Sequence, residues 1–152
     1  MKQNALLNNK RRLVLYYYLP LLLWMGIIFY FSSLSGSADA GSRDFWFYAQ
    51  RKGAHFFEYV ILAVFWLRIF RMHYFYQKTE LYHWAFFASL LYAISDEIHQ
   101  VFVAGREGKI LDVGIDALGI LAGLVIWNLF LLWRNWRNKK LPAEAGSFSK
   151  SE

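Results

Sequence analysis

Residues 13–33 read LVLYYYLPLLLWMGIIFYFSS, 21 consecutive positions without a charged side chain, directly after Lys10, Arg11 and Arg12. At a rise of about 1.5 Å per residue, a helix of this length covers the roughly 30 Å hydrocarbon core of a bilayer. Cations at its start suit the cytoplasmic flank of an anchor. Pro20 falls near the first turns, where a membrane helix tolerates it. Ala38-Asp39-Ala40 resembles a signal cleavage site, but the apolar stretch exceeds the roughly 15 residues of a signal h-region, which favours an uncleaved anchor.

Working outward, Leu34 to Lys52 is rich in Ser, Gly and charge and then carries Phe45, Trp46, Phe47 and Tyr48. That composition predicts an interfacial segment, because aromatic side chains favour the headgroup layer. A second apolar block runs from about Gly53 to Phe70, and a third from about His83 to Val103 whose second half turns polar at Ser95-Asp96-Glu97-Ile98-His99-Gln100. A turn over Ala104 to Leu111, with Gly105 and Gly108, leads into a fourth block from Val113 to Trp133. The expected fold is all-α, a bundle of four transmembrane helices with short loops. It occupies 1–140, followed by an irregular cytoplasmic tail over 141–152.

Composition agrees with a membrane setting. Of 152 residues, 57% are hydrophobic and 20% aromatic, more than a soluble core of this size needs. The absence of cysteine removes disulfides and thiolate chemistry. A net charge of +6 could suggest nucleic acid, yet the cations flank apolar blocks and form no basic-aromatic surface.

Lys and Arg counts orient the spans. Twelve of them (Lys2, Lys10, Arg11, Arg12, Arg68, Arg71, Lys78, Arg134, Arg137, Lys139, Lys140 and Lys150) fall on one side, and five (Arg43, Arg51, Lys52, Arg106 and Lys109) on the other. Both termini are therefore expected in the cytoplasm.

An Asp at the centre of a span costs about 2.5–3.5 kcal/mol, so the positions of the ionisable groups carry information. Glu58 lies roughly 8 Å inside the outer end of its helix, Asp116 roughly 5 Å inside its own, and Asp96 roughly 10 Å from the same face. Polar groups from three helices are thus expected to share one outward-facing layer. Lys52, His55 and Glu58 follow an i, i+3, i+6 spacing; Asp96, His99 and Gln100 occupy one sector; Asp112 and Asp116 are four apart. Glu97 lies about 100° from Asp96 around the helix, so the two carboxylates point apart and one of them is expected to pair with Arg106 or Lys109. Gly119 and Gly123 beside Ala85, Ala88, Ser89 and Ala93 permit close helix approach below the layer.

Such a layer admits several uses. It can be a self-neutralising structural network linked by Arg51, Lys52, Arg106 and Lys109. It can receive a phosphate on Arg106, Lys109 and Lys52 while carboxylates hold sugar or amine groups. It can also do acid–base chemistry on a lipid-linked group through His55, Glu58 or Asp96. His55, Glu58, Asp96, Glu97 and His99 are capable metal ligands, but one His-x-x-Glu pair lacks the repeated pattern of a di-iron bundle. No metal ligand set and no cofactor are assigned. A transport path is disfavoured, because the ionisable groups do not continue into the other half of the fourth block, which is Leu, Ile, Val, Trp and Phe apart from Asn128.

The stretches Lys52-Gly53-Ala54-His55-Phe56-Phe57-Glu58-Tyr59 and Ser95 to Gln100, with Gly105-Arg106, Asp112 and Gly119, resemble the VanZ-like membrane protein family. The resemblance implies a small helical bundle of the bacterial inner membrane, in a family named for a protein linked to teicoplanin resistance. It marks Lys52, His55, Asp96, Glu97, Gln100, Arg106 and Asp112 as family-like positions, which Glu58 and His99 join by local geometry. Two positions depart: Ala104 where similar proteins often have Pro, and Asp116 where Asn is frequent. The expected partner is a membrane lipid or lipid-linked envelope precursor, with no role for nucleic acid.

Overall fold

The structure, a computed structural model, describes residues 11, 13–35, 45–73, 78–106 and 108–147, the side chains of 45–48, 78 and 140–147 excepted. The candidate cleavage site at 38–40, the cations Lys2, Lys10, Arg12, Arg43 and Lys150, and residues 148–152 lie outside the described residues. Four helices account for the fold: α1 Val14–Ser33, α2 Phe45–His73, α3 Lys78–Val101 and α4 Ile110–Ser147.

Helix α1 opens with a π-helical turn at Val14–Tyr18 and continues as α-helix over Leu19–Ser33, with Pro20 in the first turn of the regular segment. The wider turn follows from Pro20, which has no N–H to give the Tyr16 carbonyl four residues back and whose ring would crowd it. Arg68 of α2 donates to that carbonyl instead, at 3.2 Å. Two further bonds fasten α1. Trp24 Nε1 donates to the Glu58 carbonyl at 2.9 Å and Tyr92 Oη donates to the Met25 carbonyl at 2.6 Å.

The helices alternate in direction. Tyr18 meets His73 at one end, where Leu67, Leu81, Ala85 and Trp127 also pack, while Leu34, Arg51, Gln100 and Arg106 meet at the other. Each helix therefore traverses the bundle. Helices α1, α2 and α4 each contain a stretch long and apolar enough to cross a membrane: Val14–Ser33, Ala49–His73 and Ile110–Lys139. Helix α3 does not reach that hydropathy, because its polar residues belong to the interior: Ser89, Asp96, Glu97 and Gln100 are all buried. Conversely, Leu22, Leu23, Phe87, Leu91, Leu121, Val125 and Leu129 lie exposed. A polar interior inside an apolar exterior suits lipid as solvent.

Small residues set the tightest contact. A Cβ on Gly119 would collide with the Phe56 carbonyl oxygen, and one on Gly123 would sit 2.5 Å from the Val60 carbonyl oxygen. Without side chains there, α2 and α4 meet backbone to backbone, as membrane helices do when van der Waals contact rather than the hydrophobic effect drives association. The core around this seam contains Tyr59, Leu62, Ala63 and Ile120.

Three boundaries differ from expectation. Helix α2 begins at Phe45, so the aromatic run expected as an interfacial segment is already helical. Helix α4 begins at Ile110 rather than Val113, with Asp112 in its first turn, where a carboxylate complements the unpaired N–H groups. At its far end the helix continues through Ser147, where an irregular tail was expected; Ala143, Glu144 and Ala145 are good helix formers.

Candidate functional site

The polar residues gather at the end of the bundle where α1 finishes, α2 begins and the α3–α4 turn lies. Gly105 makes that turn possible, with φ of 74°, a left-handed conformation that costs Gly least. The turn aims Arg106 back at α1. Its Nε donates to the Leu34 carbonyl at 2.9 Å and one terminal nitrogen to the Phe31 carbonyl at 2.6 Å. Those carbonyls lie at the end of α1, where Phe31 accepts only a long 3.4 Å backbone bond from the Leu34 N–H, so Arg106 acts as a side-chain cap with its charge at the negative end of the helix dipole. Burial, then repulsion from Arg51, draws the Arg106 pKa below its ordinary value.

Gln100, fully buried, links the cations to an acid. Its Oε1 accepts from Arg51 at 3.2 Å and from Arg106 at 3.3 Å, while its Nε2 donates to Asp96 Oδ2 at 2.9 Å. A side-chain amide can receive from guanidinium at its oxygen and give to carboxylate from its nitrogen. Asp96 is thereby held without touching either cation.

A second group forms around α4. His55 Nδ1 lies 3.6 Å from Asp116 Oδ1. Ligand atoms of His55, Glu97 and Asp116 all fall within 4.8 Å of one another. Glu97 reaches this group because its Oε2 accepts the Lys109 backbone N–H at 2.9 Å, which fixes the carboxylate against the start of α4. Of the two carboxylates, one of which is expected to pair with Arg106 or Lys109, Glu97 takes the Lys109 main-chain amide and Asp96 the Gln100 side chain. Beside the group, Lys52 Nζ lies 3.7 Å from Asp112 Oδ1, with the two side chains 48% and 19% exposed. So open and long a pair contributes little to stability.

His99 goes elsewhere. Rather than joining Asp96 and Gln100 on their sector, it turns to α1, with Nε2 3.1 Å from Ser33 Oγ and its ring stacked on Phe29 at a centroid distance of 4.4 Å. Ser33 Oγ donates to the Phe29 carbonyl, so its oxygen is left to accept from His99. The side chain ties α3 to α1.

Between α1 and α2 a cleft of about 250 Å³ opens onto these groups, lined by Phe31, Ser32, Leu34, Arg51, Ala54, His55, Glu58 and Arg106. Of the ten residues singled out by sequence, His55, Glu58 and Arg106 line it directly. Asp96 and Gln100 stand behind Arg51 and Arg106, while Glu97 and Asp116 stand behind His55. Lys52 and Asp112 form the exposed pair, and His99 leaves the cluster. Arg51, which the sequence suggested only as a neutralising cation, is a lining residue. Its signal was its place one position before Lys52, on a different face of the helix.

A family model for VanZ/LLP1 matches residues 17–132, from α1 through most of α4. The chain belongs to the VanZ/LLP1 family. No curated protein and no solved structure matches it. The family match covers the whole VanZ-like cluster, including the Lys52 to Tyr59 and Ser95 to Gln100 stretches and the Gly105-Arg106 turn.

Proposed function

We propose that this VanZ-like protein binds an anionic cell-envelope lipid, or a lipid-linked envelope precursor, by its headgroup in the cleft between α1 and α2, on the external side of the bacterial inner membrane. One observation carries the reading. Arg51 lines a cleft whose walls join the apolar Phe31 and Leu34 to the polar His55 and Glu58. A headgroup with its acyl chain has that same division, and Arg suits its phosphate. Glu58 and His55 would receive hydroxyl or amine groups of the headgroup. Arg106 is a poorer phosphate ligand than the sequence suggested, because its donors already serve α1 and Gln100.

The external orientation is supported by charge. Arg68, Arg71, Arg134, Arg137 and Lys139 all belong to the end opposite the cleft, as a cytoplasmic face requires. The cellular consequence of headgroup binding would be altered susceptibility to glycopeptides such as teicoplanin, measurable in cells with and without the gene.

The experiment is lipid co-purification in mild detergent, comparing wild type with Arg51→Ala. The expected result is one or more anionic lipids enriched with wild type and reduced at least tenfold with Arg51→Ala, the two proteins melting within a few degrees of each other. Identical lipid profiles would overturn the reading. Arg106→Ala is the weaker probe, because it also removes the α1 cap. A second reading, acid–base chemistry on the bound group, is favoured by His55 and Glu58 both lining the cleft. It requires turnover that His55→Ala and Glu58→Ala abolish while lipid still co-purifies.

A further inference from the structure

We infer that His55, Glu97 and Asp116 form a binding site for one divalent transition-metal cation at the inner wall of the cleft. The grouping is not the His-x-x-Glu pair that the sequence offers. Glu58 stands outside it, and the ligands come one each from α2, α3 and α4.

Two independent observations carry the inference. The first is convergence: one donor atom from each residue lies within 4.8 Å of the other two, and the His55–Asp116 pair is already at 3.6 Å. Two ligands bonded at about 2.0–2.2 Å to a common tetrahedral ion stand roughly 3.3 Å apart, so small side-chain adjustments suffice. The second is unmet valence. Asp116 is wholly inaccessible, and neither of its carboxylate oxygens has a hydrogen-bond partner. His55 Nδ1 and Glu97 Oε1 are likewise buried without one. Burying a carboxylate away from both water and donors is unfavourable, and one donor atom from each of three residues within 4.8 Å of the other two is an arrangement that a cation would satisfy.

Charge agrees. Two carboxylates and a neutral imidazole balance the charge of a divalent ion. Mixed imidazole and carboxylate donors suit zinc, manganese or iron better than calcium. The Lys109 amide also fixes the Glu97 carboxylate through Oε2, while Oε1 is buried without a partner. Three protein donors leave positions for water or for an anionic oxygen entering beside His55, which itself lines the cleft.

The test uses the full chain in detergent, stripped with EDTA and depleted of lipid, then equilibrated with Zn²⁺ or Mn²⁺ and desalted. About one equivalent per chain is expected for at least one ion, with Mn²⁺ showing coupling to a single imidazole nitrogen in pulsed paramagnetic resonance. Asp116→Asn and Glu97→Gln, nearly isosteric, should weaken binding at least tenfold, while Glu80→Gln at the opposite end leaves it unchanged. Less than a tenth of an equivalent of both ions on wild type overturns the inference, as does full binding by both Asp116→Asn and Glu97→Gln. Should either variant fail to fold, wild-type stoichiometry and the nitrogen coupling decide alone. Arg51→Ala keeps the metal, so loss of lipid and loss of metal report separately.

Discussion

His55 and Asp116 face each other at 3.6 Å because, one helical turn below Asp116, Gly119 lets α4 touch the α2 backbone at Phe56. The chemistry at the polar end thus depends on a missing side chain deeper in the bundle. In lipid, neither helix gains from hydrophobic burial against the other, so the backbone contact is what sets their distance.

Replacing Gly119 tests that dependence. A Cβ there meets a carbonyl oxygen, which cannot rotate away. Gly119→Ala is expected to destabilise the protein by about 1–3 kcal/mol and to lower metal retention. Gly114→Ala, where a Cβ meets nothing within 4 Å, serves as the neutral control. Thermal unfolding in detergent reads both, and equal melting would refute the seam.

Arg106 is expected to behave as a cap. Arg106→Ala leaves the Phe31 and Leu34 carbonyls and Gln100 Oε1 each short of a donor, a loss of about 2 kcal/mol. Arg106→Lys should recover only part of it, since an ammonium cannot reproduce the guanidinium fork. Faster proteolysis just after Ser33 in Arg106→Ala is the local sign. Unchanged cleavage there would argue that the cap is dispensable.

Much of this was legible in the sequence, and the rest has identifiable physical reasons for being hidden. Helical rise alone brings Glu58, Asp96 and Asp116 to one level, and the i, i+4 spacing anticipates the Gln100–Asp96 bond. Which acid meets which base depends on how each helix is rotated, and periodicity does not fix that for α3, whose polar residues spread around the helix. His99 finds its partner on α1, a helix that reads as uniformly apolar apart from its two terminal serines. The partners of Arg106 and Glu97 are mostly main-chain groups, which have no sequence signature.

Gln100 is expected to tolerate no simple replacement. Gln100→Leu keeps the volume but leaves Asp96 and Arg51 without their shared link, costing about 1–3 kcal/mol. Gln100→Glu restores the contact to both guanidinium groups while opposing Asp96. Melting temperatures should rank wild type above Gln100→Glu and Gln100→Leu lowest; a Gln100→Leu protein as stable as wild type would remove the linker role.

Orientation can be read by labelling, because the chain has no cysteine of its own. In intact spheroplasts a membrane-impermeant maleimide should modify Phe102→Cys, 81% exposed in the α3–α4 turn at the cleft end of the bundle. Asn138→Cys should react only after permeabilisation. The reverse pattern would turn the cleft toward the cytoplasm and end the proposed role at the external leaflet.

The convergence of α2, α3 and α4 on one point can be measured by thiol crosslinking in native membranes. His55→Cys paired with Asp116→Cys, and His55→Cys paired with Glu97→Cys, should be bridged by a short bis-methanethiosulfonate reagent, which spans the gap left by the shorter Cys side chains where the native ligand atoms lie within 4.8 Å of one another. His55→Cys with Leu129→Cys, far down α4, should not. Crosslinking of the first two pairs no faster than that control would mean that the three side chains do not meet, and the shared polar site at this end of the bundle, with its cation site, would not survive.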